Sequence, residues 1–269
     1  MSDSSKKNSK MALPKPLAAP LSASTLERID QKTVLFEVPF SAPKAGGGKY
    51  RIIVTNEMDA YDRPVPLASL MATSAAAMAG PGGDKFTGTA RRAAKVSIAN
   101  APTEVFVDLK DLIASLPSKQ KMVNHQPPIT TSASSNRVAE EKRNVKLRVW
   151  LYAASRENDN DFHLIFGRAP NKTPKMYMTM ELSGLPSSTS NSFPKLKAAR
   201  DAFKNFFGNQ MPGTSYQHYV PPIPVELEGS LFFDMSHATG SKPGPQKLRD
   251  DMPTIWEIHP ISRIEFEPA

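Results

Sequence analysis

The sequence predicts a mainly β protein of the α+β class. Between residues 144 and 269, apolar and polar side chains alternate with period two in several separate runs, as half-buried strands require. One segment among them instead repeats its apolar residues at helical spacing.

In chain order, Val145, Leu147, Val149 and Leu151 alternate with Lys146, Arg148, Trp150 and Tyr152. After a polar turn, Phe162, Leu164 and Phe166 alternate with Asp161, His163 and Ile165. Met176, Met178, Met180 and Leu182 then alternate with Tyr177, Thr179 and Glu181. A Ser/Pro loop leads to the amphipathic helix Phe193–Phe207, whose polar side carries Lys197, Arg200, Asp201 and Lys204, and Gly208 suits its C-terminal cap. Val225–Asp234 and Thr254–Phe266 are the fourth and fifth strands. The order β-β-β-α-β-β is the connectivity of a five-stranded OB-like barrel with its helix between strands 3 and 4. A β-sandwich would need about seven strands.

The front half reads as a small β-rich domain. Residues 1–27 are rich in Ser, Lys, Ala and Pro without periodicity and are expected to be a disordered arm. Residues 28–117 hold strand-like runs at Val34–Phe40, Tyr50–Thr55, Lys95–Ile98 and Val105–Leu109. Helical texture occurs at Leu67–Ala79 and Leu109–Leu116. Residues 118–143 have linker composition, polar and broken by Pro127-Pro128, which places the OB-like domain at 144–269.

The 269 residues include no cysteine, so disulfides, thiolate metal sites and cysteine nucleophiles are excluded. The net charge is +8, but residues 146–269 hold 14 basic and 13 acidic side chains, which gives little support to binding dominated by phosphate contacts. No signal peptide or membrane-spanning run is found, and a cytoplasmic protein without membrane contact is expected. The glycines of 80–88 lack the phosphate-cradling order, and no serine elbow occurs.

Two constellations can carry function. The first is acid and imidazole: Asp161, His163, Glu181, Asp234, His237, Glu257 and His259. The spacing i, i+2 in Asp161/His163 and Glu257/His259 projects each pair from one face of its strand. Such a cluster suits a divalent metal, with His163, His237 and His259 as ligands, or general acid–base work. It matches no zinc signature, and the same residues could simply hydrogen-bond one another and brace loop ends. The second is Arg148, Trp150 and Tyr152 with Tyr177, a basic and aromatic set that could stack nucleobases.

The runs Asn158-Asp159-Asn160-Asp161-Phe162-His163-Leu164-Ile165, Met180-Glu181, Gly229-Ser230-Leu231-Phe232-Phe233-Asp234 with His237, and Trp256-Glu257-Ile258-His259-Pro260-Ile261 occur in that order. The set resembles a family of uncharacterised bacterial proteins with D-x-D-x-H-L, G-x-x-F-F-D-x-x-H and E-I-H-P strand motifs. The resemblance covers about 145–269 and implies that the acid and histidine positions belong together.

The expected function is therefore a non-catalytic OB-like binding module whose partner is single-stranded nucleic acid or another protein. One alternative is a metal-dependent hydrolase, a nuclease or phosphodiesterase, built on the acid/His cluster with a divalent metal as cofactor. The other is a structural or assembly protein.

Overall fold

The computed structural model describes residues 33–58, 83–238, 240 and 242–268. The expected arm at 1–27 and helix at Leu67–Ala79 lie outside the described residues. The strands are β1 (Val34–Ser41), β2 (Lys49–Thr55), β3 (Thr103–Phe106), β4 (Asn144–Arg156), β5 (Phe162–Gly167), β6 (Tyr177–Leu182), β7 (Gln217–Phe233) and β8 (Trp256–Phe266). The helices are α1 (Arg92–Lys95), α2 (Leu109–Ala114), α3 (Lys119–Val123), α4 (Phe193–Phe207), α5 (Met235–Ala238) and α6 (Gln246–Arg249), with a 3-10 turn at Ala139–Glu141. The architecture is mainly β, of the α+β class. Among the described residues no helix is long and apolar enough to cross a membrane.

All eight strands belong to one sheet. β4 pairs antiparallel with β5 and β7, β5 with β6, and β7 with β8, while β6 and β8 run parallel. Each of these five strands thus has two neighbours among the other four. The β1–β2 hairpin adds to β7, and β3 adds in parallel to β4. The sheet therefore runs across the boundary expected at 118–143.

Strand alternation sorts the side chains. Val145, Leu147, Val149, Phe162, Leu164, Phe166, Met178, Met180, Leu227, Leu231, Ile258 and Ile261 share one apolar core. α4 lays Phe203 and Phe207 into it, and Phe206 stacks on Phe266 with ring centroids 4.1 Å apart. Burial on this scale is the main stabilising contribution, about 1.5–3 kcal/mol for each large apolar side chain.

Three segments differ from the sequence reading. Arg200, expected on the polar side of α4, is buried. Its guanidinium lies over the Phe162 ring and donates to the carbonyls of Leu182 and Ser183, while Asp84 supplies the counter-charge. An arginine able to stack and to fill several acceptors can face a core that helical periodicity assigns to apolar residues.

Lys95–Ile98, expected as a strand, instead ends α1 and continues irregularly. Two of its carbonyls are taken by side chains, Ser97 O by Arg137 and Val96 O by Ser192 Oγ, and are not left for a strand partner. Residues 118–143, with their linker composition, carry α3 and the 3-10 turn and bury Met122, Ile129, Arg137 and Glu141. Glu141 is paired with Arg91 at 2.6 Å. The polar residues that resemble linker chemistry are here interior groups with partners.

Candidate metal centre

Strand register assembles the centre on the face of the sheet opposite the apolar core. His163 on β5 lies directly across from Glu181 on β6. Met180 pairs with Ile258 in parallel, which brings Glu181 beside Glu257 and His259 on β8. Phe232 on β7 is opposite Glu257, and Asp234 follows just beyond the strand end. The five-residue turn between β4 and β5 supplies Glu157, Asp159 and Asp161.

A crossing segment covers this face. Phe86 N–H donates to Leu185 O, Thr87 N–H to Asp159 O, and Ala99 N–H to Ser230 Oγ. Gly184 allows the crossing, because a Cβ there would lie 2.6 Å from Phe86 Cα. Arg137 fixes the far end: it donates to Ala94 O and Ser97 O on the segment, and to Leu231 O and His259 O on the sheet. Burial of that guanidinium lowers its pKa to about 10. The segment delivers Lys95, whose Nζ lies 3.4 Å from Asp161 Oδ2, 3.6 Å from Asp159 Oδ2 and 3.8 Å from Glu181 Oε2.

Among the described residues, four groups of side chains able to ligate a metal result, one of them the turn acids Glu157, Asp159 and Asp161. Asp161, Glu181 and His259 each offer a ligand atom, and these atoms lie within 4.8 Å of one another; all three side chains are buried. Glu157, His163 and Glu181 form a second such group, with His163 Nδ1 2.8 Å from Glu157 Oε1 and 3.4 Å from Glu181 Oε1. Asp234, His237 and Glu257 form a third, with His237 Nε2 3.3 Å from Asp234 Oδ2. All seven acid and histidine residues singled out from the sequence lie in these groups.

The electrostatics are dominated by desolvated carboxylates. Burial raises the Asp161 carboxyl well above its ordinary range; Asp159 adds to this, and Lys95 opposes it. Burial pushes Glu181 up to about 8 against the pull of Lys95, and raises Glu257 strongly with help from Glu181 and Asp234. Burial holds His259 neutral, reinforced by Lys95. For Lys95, burial acts downward, but the carboxylates of Glu181, Asp161, Asp159 and Glu157 outweigh it and keep the ammonium charged.

Hydrogen bonding leaves this interior incomplete. Asp161 Oδ1 accepts from Gly184 N–H at 2.6 Å. By contrast, among the described residues Glu181 Oε2, both oxygens of Glu257 and both nitrogens of His259 make no hydrogen bond. Glu181 Oε2 and His259 Nδ1 are only 2.7 Å apart, yet not in hydrogen-bonding geometry. Buried polar atoms without partners are uncommon, and carboxylate and imidazole atoms converging this way are the donors that a Zn²⁺ or Mn²⁺ ion takes.

Lys95 was not legible as a member of this centre, and Glu157 was missed with it. No local pattern marks Lys95, which reaches the cluster only through the crossing of residues 83–99. Glu157 sits in a turn whose acids read as ordinary loop polarity.

The aromatic set lies elsewhere. Arg148 is exposed and donates to Pro268 O, and Trp150 is half-buried, opposite Gly167 and Pro224. Tyr152 donates its hydroxyl to Arg168 O and meets Tyr177 edge-on, with ring centroids 4.8 Å apart. Tyr177 is 2% exposed and packs with Ala153, Ile165 and Tyr216.

A cavity of about 230 Å³ adjoins the third group. His237, Lys119, Lys242, Pro117 and Thr254 are among its lining residues. Comparison with family models, with curated proteins and with solved structures found no match to this chain.

Proposed function

We propose that β4–β8 with α4 form an OB-like barrel, and that the protein is a metal-dependent hydrolase of phosphodiesters, a nuclease or phosphodiesterase. The barrel reading is supported by the pairing β4–β5–β6–β8–β7–β4, with α4 between the third and fourth of these strands. The observation that carries the function is the convergence of Asp161, Glu181 and His259, with atoms of the last two left without hydrogen bonds. Mixed carboxylate and imidazole donors favour Zn²⁺ or Mn²⁺ over Ca²⁺ or Mg²⁺, which prefer oxygen alone.

Bound there, such an ion would supply an activated water nucleophile at neutral pH. The chain's own groups would do the rest. Lys95, 14% exposed at the edge of the centre, would hold a developing negative charge on the phosphoryl oxygens. The Glu157–His163 pair, with Nδ1 held by the carboxylate, would take a proton from the attacking water. Lys119 and Lys242 beside the adjoining cavity favour an anionic substrate.

The nucleic-acid stacking reading has less support, since Tyr177 is buried and Tyr152 is engaged with Arg168. The test is purification without chelator or affinity metal. Elemental analysis should then find bound Zn or Mn, and hydrolysis of bis(p-nitrophenyl) phosphate and of single-stranded DNA should be abolished by EDTA and restored by Mn²⁺. A protein that neither retains nor takes up stoichiometric metal, and shows no EDTA-sensitive hydrolysis, contradicts the proposal.

A further inference from the structure

Beyond the ion assigned to Asp161, Glu181 and His259, we infer that Asp234, His237 and Glu257 hold a second divalent cation, making the centre binuclear. This deepens the hydrolase reading and rests on it. The three residues each present a ligand atom within 4.8 Å of the others, drawn from the end of β7, from α5 and from β8. Proximity of acids alone would not suffice. Glu257 is the independent observation: it is 1% exposed, and neither carboxylate oxygen has a hydrogen-bond partner among the described residues. A buried carboxylate with both oxygens unpaired needs a cation or a proton.

The other two residues are arranged to suit a cation. Asp234 uses Oδ1 to accept from Ser236 N–H at 2.7 Å, which fixes the carboxylate and leaves Oδ2 turned toward His237 Nε2. The two sites adjoin through Glu257, whose Oε2 is 3.7 Å from His259 Nδ1 in the first group. Two ions held in adjoining sites would supply charge for both the attacking and the leaving oxygen of a displacement at phosphorus.

His237 also lines the 230 Å³ cavity, together with Lys119 and Lys242. A cation bound at His237 is therefore next to space that an anionic ester can enter. No residue of the first group lines that cavity. The residues of the second site, and not those of the first, would thus place a cation against a substrate in that cavity.

The experiment is metal stoichiometry on the full-length protein, by equilibrium dialysis against Mn²⁺ with elemental analysis, alongside low-temperature electron paramagnetic resonance. Wild type should bind two Mn²⁺ and show the multiline spectrum of a spin-coupled pair. Asp234→Asn and, separately, His237→Gln should bind one Mn²⁺ with an isolated six-line signal, while circular dichroism stays unchanged. Two ions in these variants as well, or one ion in wild type that survives both substitutions but is lost in Glu181→Gln, would overturn the second site and leave the hydrolase reading standing. No bound ion in any form would overturn both.

Discussion

Oε2 of Glu181 lies 2.7 Å from Nδ1 of His259, and among the described residues neither atom makes a hydrogen bond although both side chains are buried. A buried acceptor and a buried imidazole held in contact but out of alignment forgo the energy of a charge-assisted bond, about 1.5–3 kcal/mol. An ion drawing on both atoms satisfies them at once. Glu181→Gln is therefore expected to weaken Mn²⁺ binding at least about tenfold, as loss of a ligand should cost no less than loss of a group that merely supports one. Isothermal titration calorimetry reads this; an unchanged affinity would remove Glu181 from the centre.

Lys95 is the only cation among the charged groups that touch Asp159, Asp161 and Glu181 in the described residues. Replacing it with Gln leaves buried carboxylates uncompensated and should destabilise the metal-free protein by about 3 kcal/mol. Added Mn²⁺ should restore more stability to Lys95→Gln than it adds to wild type, because the ion compensates the same charges. Urea unfolding with and without Mn²⁺ measures both effects, and equal metal responses would contradict the account.

Gly184 is where the covering segment crosses the sheet. In Gly184→Ala the new Cβ would meet backbone atoms of Phe86, which must move, and the Gly184 N–H bond to Asp161 must move with them. Mn²⁺ affinity should fall about tenfold, comparable to losing a group that orients a ligand. Gly213→Ala is the control, since nothing lies within 4 Å of its Cβ position. Equal affinities for the two variants would disconnect the crossing from the site.

His218 provides a pH prediction independent of the centre. Burial depresses its pKa to about 4 from the ordinary 6.5, and its Nε2 has no hydrogen-bond partner among the described residues. Between those values the unfolded chain binds the extra proton, so stability rises with pH. The contribution is fully present above pH 6.5 and is lost as pH falls toward 4, on the order of 3 kcal/mol in total. His218→Gln should flatten the unfolding free energy across that window. A profile as steep as that of wild type would assign the acid sensitivity to other groups.

The strands and helix of the back half were readable because each buries one face, and a buried face imposes its period on the sequence. Phe162, Leu164 and Phe166, or Phe203 and Phe207, reveal their elements in this way. The acid and histidine positions were readable for the complementary reason: alternation forces Asp161, His163, Glu181, Glu257 and His259 onto the face the core leaves vacant. What escaped was whatever tertiary contact alone decides. Arg137 and Arg200 are interior groups because backbone carbonyls and an aromatic ring surround them, and neither partner is near in sequence. Lys95 belongs to the site only because residues 83–99 return across the sheet. Lys95–Ile98 reads as a strand, whereas Arg137 and Ser192 take the Ser97 and Val96 carbonyls that a neighbouring strand would use.

The most direct measurement is anomalous diffraction from crystals grown with Zn²⁺, recorded on both sides of the zinc absorption edge. The account predicts a peak about 2.0–2.2 Å from a carboxylate oxygen of Asp161, a carboxylate oxygen of Glu181 and a ring nitrogen of His259. A map with no anomalous density there, and with Glu181 and His259 joined by an ordinary hydrogen bond, would contradict it.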